Sequence, residues 1–373
     1  MLRLSLQDLV LRVKICNLGE VEQTLLEAMD PPSSKNIRRA IESLKEVKAL
    51  TSNEGLTTLG KQLAKLPLDV FLGKLIIYGA IFKCLDACVS IAAILSSKSP
   101  FVNTLGSNTQ RDLARLSFKR GDSDLLTVYN AYLSWRKVKN TPGVNEYSFC
   151  RKNFLSPQTF LNIEDIKTQL LVSIVDAGLL KLDADEQASL RRTRVTSRSR
   201  NFFVVPERVD VNNSNDLVVN SVIAWSFYPK LVIREGKGWR NITNNQNIRL
   251  HPTSVNKQPD HSVKWLSFYH IMQARSKFYN AHETSAVEDF AVAMLCGEPE
   301  FKMYSGIISI DNNRVRFSVR DWKQMLAFKT LTTRVREVLT EIIRNPQKKL
   351  SHQQREWMEI WQQVFSAKGH EKK

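Results

Sequence analysis

Glycine and proline are scarce, 14 and 12 in 373 residues. That excludes collagen-like chains and long low-complexity architectures. Cysteine is rarer still, and the five present (Cys16, Cys84, Cys88, Cys150, Cys296) are odd in number and scattered. Cys84 and Cys88 fall four apart on an expected helix, but no histidine or second cysteine pair stands near them in sequence to complete a zinc site. Reduced, buried thiols are therefore expected, which points to cytosol or nucleus. Long charge-free apolar runs are missing too. Residues 75–95 come nearest, yet Lys83 and Asp86 sit at their middle, each costing about 2.5–3.5 kcal/mol at a bilayer centre. Buried helices and no membrane partner are expected. Residues 1–16 carry charges through their apolar positions and do not read as a signal peptide.

Catalytic signatures are also lacking. No G-x-S-x-G, H-E-x-x-H or C-x-x-C occurs, and the six histidines show no metal-binding spacing, so no metal site is expected. The segment Gly55 to Gln62, GLTTLGKQ, nearly matches a phosphate-binding P-loop, but Gln62 replaces the hydroxyl that would hold Mg²⁺. The polar stretch before Gly55 is not a buried strand. A turn leading into a helix is the better reading, and no catalytic residue is assigned. Asp122 and Asp124 read as helix N-terminal caps rather than as an acid/base pair.

What is abundant is positive charge. Lys and Arg number 54 against 37 Asp and Glu, a formal charge of +17. Such a balance attracts polyanions. Along the chain, residues 1–48 read as three short helices, followed by a β-prone pair around Asn53-Glu54-Gly55, the order of a winged helix. Residues 69–182 stay helical. Residues 189–200, SLRRTRVTSRSR, hold Arg191, Arg192, Arg194, Arg198 and Arg200 without an acid and read as an extended basic linker. Strand signals then take over at 202–205, 230–233, 247–251 and 263–269, with a hairpin across Asp311-Asn312-Asn313 and one helix near 286–295. That pattern suits a small closed barrel. Two helices end the chain. Expected boundaries are 1–68 winged helix, 69–182 helical bundle, 183–200 basic linker, 201–330 barrel and 331–373 helical extension, an α+β multidomain chain. Within the barrel region Lys230, Arg234, Lys237, Arg240, Arg249, Lys257 and Lys264 alternate with Trp225, Phe227, Tyr228, Trp239 and Trp265. Cations among aromatics can hold phosphates and stack bases.

The order of several short motifs carries a resemblance. Asp30-Pro31-Pro32, Pro67-Leu68-Asp69, Ser99-Pro100-Phe101, Ser123-Asp124-Leu125, Phe149-Cys150-Arg151-Lys152-Asn153-Phe154-Leu155, Ile166-Lys167-Thr168-Gln169-Leu170 and His251-Pro252-Thr253-Ser254 follow one another as in DEAH-box/RNA helicase A-type helicases. The series resembles that family's winged-helix, helicase-associated (ratchet) and OB-fold domains over about residues 1–330. The basic run and the extra C-terminal helices most resemble the branch containing the helicase that assists ribosomal scanning. The resemblance implies the C-terminal half of an ATP-dependent RNA helicase acting in translation or RNA processing. ATP and Mg²⁺ would belong to RecA-like domains whose motifs this sequence does not contain, so no cofactor and no enzyme activity are expected of this chain alone. It implies single-stranded RNA as partner, with ribosomal or other ribonucleoprotein proteins docking on the barrel. A protein-interaction scaffold that touches no free RNA is the rival reading. The RNA-binding candidates are Arg151, Lys152, Asn153, Lys167, Lys230, Arg240, His251, Ser254, Arg275 and Lys277, with the five linker arginines.

Overall fold

The computed structural model describes residues 6–102, 108–193, 195–196, 198–257, 262–274 and 278–370. The candidates Arg194, Arg275 and Lys277 lie outside them. The chain opens with α1 (Leu6–Ile15), α2 (Val21–Leu26) and α3 (Ser34–Glu46). On α3, Ile37, Ala40, Ile41 and Leu44 recur at helical spacing and are buried. The β-prone pair is reduced to a single bridge, Leu50 to Leu56. It feeds α4 (Thr58–Leu63), capped by Thr57 Oγ1, which accepts from Gly60 N at 3.0 Å. A Cβ on Gly60 would lie 2.1 Å from the Ala49 carbonyl oxygen. Close backbone approach therefore accounts for this glycine. The Gly55 N–H is also engaged, donating to Thr51 Oγ1 at 3.0 Å.

The helical region holds α5 (Val70–Ile81), α6 (Leu85–Leu95), α7 (Asn108–Ser117), α8 (Asp124–Asn140), α9 (Glu146–Lys152) and α10 (Pro157–Asp176). Residues 75–95 form α5 and α6, parted by Lys83 in a left-handed conformation. Among the described residues no helix is long and apolar enough to cross a membrane. Cys84 and Cys88 are buried at an Sγ–Sγ distance of 3.7 Å, and Cys150 and Cys296 are buried too. Cys16 is exposed, against expectation. The bundle encloses ion pairs: Lys167 to Asp86 at 2.7 Å, Arg136 to Glu164 at 2.7 Å and Lys139 to Glu146 at 2.7 Å. Tyr129 and Tyr132 donate to Asp86 and Glu164, each at 2.6 Å. These bonds supply the partners that buried charges require.

Three expectations are corrected between residues 183 and 227. The basic linker begins as a helix, α11 (Ala184–Arg192), closed at its start by a capping box between Asp183 and Glu186. Three acids at 183–186 answer its N-terminal amides, and its last two arginines answer its C-terminal carbonyls. Arg191 has an acid after all, Asp176 at 2.7 Å. Trp225 and Phe227 lie on a helix, α12 (Asp216–Phe227), which is buried on nearly every side. A helix apolar all round belongs in a core, so its aromatics are not a stacking surface. Residues 202–205, expected as a strand, form none.

The expected barrel is also corrected. Strands β1 (Leu231–Glu235), β2 (Gly238–Asn241), β3 (Asn247–Leu250), β4 (Trp265–Ser267), β5 (His270–Gln273), β6 (Tyr279–His282) and β7 (Ser285–Val287) form one sheet in the order β5-β6-β3-β2-β1-β4-β7. The ladder does not close. Only two residues join β4 to β5, yet β5 lies at one end of the order and β4 next to the other. The sheet must therefore be rolled. Helix α13 (Asp289–Leu295) follows. A second sheet comprises β8 (Pro299–Lys302), β9 (Ile307–Ile310) and β10 (Val315–Ser318), and Asp311, Asn312 and Asn313 take the positive φ expected of that turn. The final helices, α14 (Trp322–Arg344) and α15 (His352–His370), each lay one face against the rest of the chain. Trp361 and Phe365 of α15 are enclosed, with rings 4.6 Å from Phe82 and 5.8 Å from Trp225 respectively.

Candidate nucleic-acid interface

The ratchet-side helices meet the rolled sheet along one seam, and Asp124 is its hub. Ser123, not Asp124, caps α8 by accepting from Leu126 N at 3.1 Å. The Asp124 carboxylate, at 1% exposure, reaches across to the sheet. It accepts from Ser254 Oγ at 2.7 Å, Val255 N at 2.8 Å, and Thr284 N and Oγ1 at 2.9 Å each. The motifs Ser123-Asp124-Leu125 and His251-Pro252-Thr253-Ser254 are thus two halves of one joint.

Beside this joint opens a cavity of about 280 Å³, lined by Phe101, Arg111 and Arg115 from the helical side and by His251, His282 and Glu283 from the sheet. The Arg115 guanidinium lies 5.5 Å from the Phe101 ring centre and 3.6 Å from Asp124. Arg111 pairs with Asp112 at 2.8 Å. Burial, with Arg115 nearby, lowers the His251 pKa and favours the neutral ring. Its Nδ1 lies 2.8 Å from Thr253 Oγ1. Phe101 bridges to Leu155, and Val102 N donates to the Phe154 carbonyl at 2.8 Å. The segment 151–155 therefore borders the same seam. Arg151 and Lys152 are exposed at the end of α9.

The other candidates divide. Lys167 is inside the bundle on Asp86 and is no surface cation. Ser254 is buried and committed to Asp124. Lys230 donates to the Tyr269 carbonyl at 2.9 Å and sits 3.6 Å from the Phe71 ring centre; burial lowers its pKa to about 8. Arg240 pairs with Glu235 and Asn245. Asn153 closes α9, its side chain donating to the Phe149 carbonyl at 2.9 Å. Arg192, Arg198 and Arg200 are exposed. Of the expected aromatics, Trp225, Tyr228 and Trp265 are buried, so the alternating pattern marks core against solvent. The sequence reading missed Arg111, Arg115 and the pair Arg249–Phe278, whose guanidinium lies 3.4 Å from an exposed ring. The cation and aromatic of that pair are too far apart in sequence for periodicity to join them.

A helical bundle joined to a rolled, largely antiparallel sheet is the class this geometry defines. Residues 69–128 match the helicase-associated domain (HA2), ratchet-like, and residues 219–298 match the oligonucleotide/oligosaccharide-binding (OB)-fold family. The chain is similar to ATP-dependent RNA helicase DHX29 of Homo sapiens, 32% identical over 372 residues, covering 94% of this chain and 25% of the relative. It is also similar to ATP-dependent DNA/RNA helicase DHX36 of Bos taurus, 32% identical over 332 residues, covering 86% and 30%. A third relative, putative ATP-dependent RNA helicase DHX57 of Mus musculus, is 28% identical over 374 residues, covering 92% and 26%. The chain spans roughly a quarter to a third of these relatives. It belongs to the DEAH-box RNA helicases, in the C-terminal region that carries the ratchet and OB-fold domains.

Proposed function

We propose that this region grips single-stranded RNA by its phosphates while ATP hydrolysis, on RecA-like domains, drives movement. The observation that carries the reading is the seam, where Arg111, Arg115 and Phe101 face His251 across a polar cleft, with Arg151 and Lys152 exposed beside it. Guanidinium groups over an aromatic floor suit a backbone passing among bases. The engaged Gly55 and Gly60 amides support the view that GLTTLGKQ cradles no phosphate. Partner proteins would dock on the rolled sheet of β1–β7.

Salt titration of single-stranded RNA binding tests this. Log affinity should fall linearly with log salt, by about 0.7 per phosphate gripped. Arg151→Ala with Lys152→Ala should weaken binding and flatten that slope by about 0.7 for each contact removed. No binding at low salt, or a flat profile, would instead favour a protein-docking scaffold.

A further inference from the structure

Three histidines far apart in sequence stack on one face of the rolled sheet. The His251 and His282 rings lie 4.2 Å apart, and His282 and His270 lie 4.7 Å apart with only 10° between their planes. His270 and His282 are direct cross-strand partners of β5 and β6, so the pleat puts both side chains on the same face. Glu283 should point the other way. It does not, because its φ is +52°. The left-handed turn between β6 and β7 swings its carboxylate round to the histidines. Glu283 Oε2 is enclosed and accepts no well-aligned hydrogen bond, although His270 Nδ1 is 3.2 Å away. One donor atom from each of His270, His282 and Glu283 lies within 4.8 Å of the others.

We infer that His270, His282 and Glu283 form a binding site for a divalent first-row transition ion of the zinc type. Two imidazoles and one carboxylate are a borderline-soft donor set, which favours such an ion over magnesium or calcium. Three protein ligands leave a fourth tetrahedral position for water or an anionic oxygen. Ligands on zinc stand about 3.4 Å from one another, so the three side chains need rotate inward by only about 1 Å. The backbone beneath them is fixed. Tyr269 N donates to the His282 carbonyl at 3.1 Å, His251 N to that of Ala281 at 3.0 Å, and Thr284 N to Asp124 at 2.9 Å. His282 and Glu283 also line the seam cavity, so the ion adds positive charge to its wall. The site stands whether or not the seam carries RNA.

The test uses the full chain bearing Cys16→Ser, which removes the exposed thiol, stripped with chelator and titrated calorimetrically with zinc chloride. One equivalent should bind and raise the melting temperature. His282→Ala should weaken binding at least ~10-fold, as losing a ligand should cost no less than losing a supporting group. Glu283→Gln and His270→Gln should also weaken it, while His352→Ala, on α15, should not. Circular dichroism checks each fold, and the two conservative variants keep the test open if His282→Ala misfolds. Absence of saturable binding, or affinity unchanged in Glu283→Gln and His270→Gln, overturns the site.

Discussion

Asp124 shows how much one side chain can carry. Its four donors come from two separate loops beside the sheet; in Asp124→Ala the Val255 and Thr284 amides would be left buried without an acceptor, while the Ser254 and Thr284 hydroxyls would keep only each other. Breaking a buried charged network in this way costs about 3–5 kcal/mol. Urea melts should show that loss, and Asp124→Asn should lose less because one oxygen acceptor survives. Lys167 gives the complementary prediction. Lys167→Gln strands the Asp86 carboxylate and should destabilise by about 3–5 kcal/mol, yet leave the slope of RNA affinity against salt unchanged, since the ammonium is 1% exposed. A change in that slope would return Lys167 to the RNA surface. Sequence reasoning placed both residues on helices correctly and misjudged both roles. Capping and periodicity act over a few residues, whereas Lys167 meets Asp86 across 81 positions and Asp124 meets Ser254 across 130. Local pattern contains no term for such partners.

At the scale of elements, the legible ones were those whose apolar positions had a clean period. The stripe of α3 and the hairpin around Asp311-Asn312-Asn313 were readable because one buries a single face and the other needs one turn chemistry; the helices of residues 75–95, enclosed on nearly every side, were readable only as a long apolar run holding Lys83 and Asp86. Helix α12 was not, because burial on every side removes the period that distinguishes helix from strand. Helix α11 was hidden by its arginines, whose charge outweighed the capping box Asp183 and Glu186. The metal-type cluster was illegible for a third reason. Strand pairing and one left-handed residue assemble it, and spacing in sequence records neither. The wing-like turn can be tested directly. Gly60→Ala drives a Cβ toward the Ala49 carbonyl oxygen, 2.1 Å away. Backbone must move, and α4 should part from the bridge at Leu50 and Leu56. The expected loss is about 1–3 kcal/mol or more, read as a lower denaturation midpoint. Gly55→Ala, whose nearest neighbour is the flexible Thr51 hydroxyl at 3.2 Å, should cost less.

For the whole molecule, Lys74 reports on how the parts close together. It lies on α5 at 7% exposure, in a cavity also lined by Lys48, Leu59, Tyr228, Glu298, Arg336 and Ile343. The N-terminal helical region, α5, the ends of α12 and α13, and α14 all contribute to that wall. Burial lowers the Lys74 pKa to about 8, with Arg336 and Lys48 adding to the effect and Cys296 opposing it. The unfolded chain holds this proton up to about pH 10.4. Between about pH 8 and that value the unfolded state binds more protons than the folded one, so stability from this group rises with pH. Below about pH 8 the buried cation instead opposes closure by on the order of 3 kcal/mol. Lys74→Met lacks the titrating group. Urea melts of parent and variant at pH 7.5 and pH 10 should therefore show the parent gaining about 2–3 kcal/mol relative to Lys74→Met. Taking the difference cancels thiols and tyrosines that titrate in both proteins. A constant difference across that range would mean that Lys74 keeps an ordinary pKa, and hence that water reaches the junction where the N-terminal helices, the bundle and α14 meet.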